Sequence, residues 1–81
     1  MSAIDNAQMS VDTYSLLEKT LTAFEKGEIA PKDRAEEVEL AKLLLRIAET
    51  DISDRKHLSL PITQRQWDIL ARAREQIPKL R

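Results

Sequence analysis

The sequence contains no cysteine. Neither a disulfide nor a thiolate-bound metal can brace the fold, and the lack suits a reducing compartment. Histidine occurs once, as His57, which excludes a multi-histidine metal site within one chain. The single glycine, Gly27, cannot build a phosphate-cradling loop. No apolar run exceeds Leu43-Leu44-Leu45, far short of a membrane span. The opening "MSAIDNAQMS" has neither the basic start nor the apolar middle of a secretory signal, so a cytoplasmic protein is expected. Net charge is also nearly absent: 13 basic against 14 acidic residues leave −1, which argues against broad attraction to phosphate.

The balance hides an asymmetry. Residues 1–50 hold ten acids and six bases, a net of −4, and residues 51–81 hold four acids and seven bases, a net of +3. Such a split suits head-to-tail association between chains, or a basic patch at one end.

What is present is helix-forming. Ala, Leu, Glu, Lys, Arg and Gln dominate, with only three prolines, and no window alternates as a strand does. At 81 residues the chain makes one domain with a thin core. Residues 1–9 are expected to form a loose tail, and Ser10 to cap a first helix over about 10–26. In it Tyr14, Leu17, Leu21 and Phe24 share a stripe roughly 80° wide, one narrow buried face. Gly27 then stops the helix.

A second helix is predicted over about 32–50, entered through Pro31. Val38, Leu40, Ala41, Leu43, Leu44, Leu45, Ile47 and Ala48 spread over an arc of about 220°, which predicts a central helix covered on two sides. "DISDRKHLSLP" is expected to be a connection of about a dozen residues, with a short turn after Ser53.

The third helix, over about 63–77, has the strongest start signal. Thr63 and Gln66 form a capping box, and Ile62 with Trp67 a hydrophobic staple. Pro78 ends it. Arg65, Asp68, Arg72, Glu75 and Lys79 alternate in sign along one face, which predicts pairs within the helix. Arg74 stands apart. It falls among Trp67, Leu70, Ala71 and Ile77, either as a snorkelling stem or as an interface residue reaching a partner's carboxylate.

"LPITQRQWDIL", 11 residues, resembles the lead-in to a helix of MarR-type winged helix-turn-helix regulators. That family then lays a further helix in the DNA groove. The sequence offers no such helix after this stretch, so a DNA-reading role is not carried over.

No catalytic constellation is visible. Ser53, Asp54 and His57 are near in sequence, but a triad is a matter of geometry. Glu36 and Glu37 point about 100° apart on a helix and do not share one ion easily.

The expectation is therefore an all-α domain over residues 10–81, a small three-helix bundle completed by dimerisation. Its function is expected to be non-enzymatic: an adaptor, inhibitor or regulator presenting an apolar helical face to a protein partner or to itself. The expected contact residues are Trp67, Leu70, Arg74 and Ile77 on the third helix, and Leu40, Leu44 and Ile47 on the second. No cofactor, metal, small-molecule substrate or membrane is expected. The alternative is nucleic-acid binding through Arg55, Lys56, Arg65, Arg72, Lys79 and Arg81.

Overall fold

A computed structural model describes residues 2–80, with side chains from residue 13 onward. It is all-helical, with helices α1 (Ser2–Lys26), α2 (Arg34–His57) and α3 (Gln64–Gln76). A 3₁₀ turn at Pro31–Asp33 leads into α2, and another at Ile77–Lys79 follows α3. The expected tail at 1–9 and the Ser10 cap are corrected: α1 is helical from Ser2, so residues 2–9 belong to the helix and Ser10 lies inside it.

Local chemistry sets the ends. Gly27 adopts φ 67° and closes α1. Its N–H donates to the Phe24 carbonyl (3.2 Å) and that of Glu28 to Ala23 (2.9 Å), which satisfies two carbonyls the helix leaves open. The start of α3 is as the sequence predicts. The Gln66 N–H donates to Thr63 Oγ1 (3.1 Å), and the Thr63 N–H donates to Gln66 Oε1 (2.9 Å).

The expected loop at 51–62 is corrected. "DISDRKH" forms the last turns of α2, which runs to His57. Nothing in that stretch breaks a helix, since Gly and Pro are both missing from it. Ala41, Leu44, Ala48 and Ile52 are buried at spacings of 3, 4 and 4, so Ile52 extends the core stripe one turn further. Arg55, Lys56 and His57 oppose the negative end of the helix dipole. The stop comes at Ser59, held at φ 57°, where Leu60 N–H donates to the Arg55 carbonyl (2.7 Å) and Ser59 N–H to Lys56 (3.2 Å). This is the same closing pattern as at Gly27, with serine in the left-handed position and Pro61 just beyond. Ser53 is therefore a mid-helix residue and caps nothing.

Each helix packs on the other two. α3 runs parallel to α1: Arg65 pairs with Glu18 (3.2 Å) and Arg72 with Glu25 (2.8 Å), the same offset two turns apart. α3 runs antiparallel to α2: Lys56 lies 5.2 Å from the Trp67 ring, and Arg74 pairs with Glu49 at 3.0 Å. The result is an up-down-up bundle. The core is Tyr14, Leu17 and Leu21 from α1, the α2 stripe, and Ile69, Leu70, Ala73 and Ile77. Phe24, Leu45, Ile62, Trp67 and Leu80 pack around its rim.

Two expectations about faces change. The α3 charges pair mainly across helices, because a guanidinium on α3 reaches a carboxylate on α1 or α2. And α2, although it packs on both α1 and α3, is not covered over its whole apolar arc. Its second apolar stripe is open, with Leu40 at 37%, Leu43 at 49% and Ile47 at 44% exposure.

Candidate interaction face

The expected contact residues separate into three groups. Leu44, Leu70 and Ile77 are buried in the core and unavailable to a partner. Trp67 packs on the rim beneath the Lys56 ammonium, and Arg74 donates from Nε to Glu49 (3.0 Å). The carboxylate expected from a partner is supplied by the chain itself. Only Leu40 and Ile47 stand exposed as large apolar groups.

Leu43 joins them, at i, i+3 and i+7 from Leu40. At 100° per residue these three fall within about 60° of arc, a second stripe beside the core stripe. Leu16 on α1 is also 47% exposed. Ile47 and Thr13 line one recess together with Tyr14 and Asp51, so these parts of α1 and α2 adjoin. The two helices run antiparallel, which sets Leu16, one turn after Thr13, level with Leu43, one turn before Ile47. The four side chains thus share the outer face of the α1–α2 pair, away from α3. The face continues into a shallow groove lined by Arg46, Ile47, Thr50, Asp51 and Asp54.

The sequence expectation omits Leu43 and Leu16. For Leu43 a signal existed: once Ile52 is counted with Ala41, Leu44 and Ala48, the core stripe is fixed and Leu43 falls outside it. For Leu16 the narrow α1 stripe already excluded it from the core.

A polar joint underlies this face. The Tyr14 hydroxyl donates to Asp51 Oδ2 (2.7 Å), which also accepts from Arg55 Nε (3.0 Å). Arg55 Nη1 donates to the Pro61 carbonyl (3.2 Å). The joint ties α1 to the last turns of α2 and to the α2–α3 connection. Burial first, then the Asp51 carboxylate, hold the Tyr14 phenol well above its ordinary range, while Arg55 opposes them. The folded state therefore keeps this proton longer than the unfolded chain does. Stability fully present below pH 10.0, the ordinary tyrosine value, is lost as pH rises above it. Tyr14→Phe is expected to flatten that alkaline fall relative to wild type. At pH 7 it should lower stability by about 0.5–1.5 kcal/mol, as urea titrations across pH will record.

The Arg72 guanidinium, then the Gln76 amide, hold the Glu25 carboxyl below its ordinary range. Among the described residues, no buried side-chain nitrogen or oxygen lacks a partner, and no three His, Cys, Asp or Glu cluster as metal ligands would. Ser53, Asp54 and His57 all lie exposed on the surface of α2. No described helix is long and apolar enough to cross a membrane.

No protein-family model matches the chain, and no curated protein or solved structure matches it.

Proposed function

We propose that this chain is a small non-enzymatic interaction module that presents the outer α1–α2 face to a protein. The observation that carries this is the stripe of Leu40, Leu43 and Ile47, each 37–49% exposed along two turns of one helix. A third of the residues are charged, yet this face keeps apolar groups aligned as a docking helix would need. The helices beneath it are tied together by the Tyr14–Asp51–Arg55 joint, so the face needs little ordering on binding.

The basic residues of the nucleic-acid alternative are largely matched within the fold. Of these, Arg55 lies against Asp51, Arg65 against Glu18 and Arg72 against Glu25, and Lys56 covers Trp67. Groups already matched by acids release few counterions on meeting phosphate.

A photo-crosslinking residue placed at position 47 in the native cell tests the reading. Covalent adducts to protein are expected from position 47, and few from the exposed position 32 on the short turn before α2. Equal yields from both positions would remove the face as an interaction site.

A further inference from the structure

We infer that the occupant of this face is a second copy of the same chain, with the two α2 helices crossing antiparallel about a two-fold axis at Leu43. The inference rests on the outer α1–α2 face being the interaction face, and it names the partner.

The charges beside the stripe carry it. Glu39 and Arg46 are both exposed and lie on the same flank of Leu40, Leu43 and Ile47, two turns apart. Leu43 falls between them. Arg46 has no ion-pair partner among the described residues. Glu39 has only Lys42 at 3.8 Å, with side chains 76% and 50% exposed. In an antiparallel helix pair, residues on the same flank face each other. A two-fold axis at Leu43 sets Glu39 of each copy opposite Arg46 of the other, twice, while Leu40 meets Ile47 across the seam. The flank is thus complementary to itself.

A parallel pairing lacks this match. It would bring Arg46 towards Asp51 of the second copy, and that carboxylate already accepts from Tyr14 and Arg55. It would set Glu39 beside Leu44, which is buried in its own core. Leu16 borders the seam from α1 and adds apolar area. Four half-exposed side chains from each copy make an interface at the small end, so a reversible dimer is expected, with dissociation in the micromolar range.

Sedimentation of the full chain between roughly 5 and 500 µM reads this directly. The expected result is a rise in mass from 9.3 kDa towards twice that value. Glu39→Arg and Arg46→Glu each bring like charges together at both ends of the seam and should weaken self-association by about tenfold or more. Mixing the two variants should restore a dimer. Positions 39 and 46 are both basic in the first variant and both acidic in the second, so opposite charges meet at each end of the mixed seam. Both sites are exposed, and unchanged helicity by circular dichroism confirms that the variants fold. A chain that stays at 9.3 kDa throughout overturns the inference. So does self-association that neither reversal weakens, or a mixture that stays monomeric. A monomer that still gives adducts to other proteins from position 47 overturns the self-pairing alone. A monomer without adducts overturns the interaction face as well.

Discussion

Leu17→Ala is expected to lower the unfolding free energy by about 2–5 kcal/mol, the usual cost of a buried leucine truncated to alanine. Leu17 is 0% exposed in the middle of the α1 stripe, in the same core as the buried residues of α2 and α3. The removed carbons lose their transfer free energy, and the cavity left behind cannot close against helices held from several sides. A domain of this length holds roughly 4–12 kcal/mol in total. The loss is therefore a large share of stability. Urea titration followed by circular dichroism measures it. A loss below about 1 kcal/mol would mean that the α1 stripe is not packed as described.

Ser53→Pro is expected to cost about 3 kcal/mol or more, although Ser53 is exposed. The reason lies in the backbone. Position 53 is inside α2, where proline removes a helical N–H donor and its ring meets the carbonyl of Glu49. The damage should spread, because Glu49 holds Arg74 of α3 and the turn just before holds the Tyr14–Asp51 contact. In a loop the same change would be close to neutral. The measurement thus separates a helix from a connection at 51–57. Stability within about 0.5 kcal/mol of wild type, with full helicity, would return this stretch to a loop.

The two positions also mark where the sequence was legible. The α1 stripe could be read because it is narrow and regular, and its residues Tyr14, Leu17 and Leu21 are buried as expected. The start of α3 could be read because a capping box involves atoms only three residues apart. The end of α2 could not. Its stop depends on a left-handed serine at position 59, a conformation serine seldom adopts, and no glycine announced it. Ile52 and the charges of "DRKH" then appeared to belong to a loop.

The candidate face was half legible. Leu40 and Ile47 were in view as apolar residues of α2, and both are exposed. Leu70, Ile77 and Leu44 were equally apolar but are buried. Periodicity locates a stripe, and it does not say which of two stripes on one helix meets a neighbour. Arg74 shows the same limit for charge. Its place among apolar residues left a snorkelling stem and a partner's carboxylate both open, and the carboxylate it meets, Glu49, comes from α2 of the same chain.

The helical class, the core face of α1, the stop at Gly27 and the start of α3 follow from the order of the residues alone. They depend on propensity, spacing and hydrogen bonds within a few residues. The packing of the three helices had to settle which α2 stripe is covered and which acid meets each arginine. Those outcomes depend on the angle and direction at which helices cross, set by contacts between residues far apart in the chain. α2 carries more apolar surface than two neighbours can cover, and the register of α1 against it leaves Leu40, Leu43 and Ile47 outside.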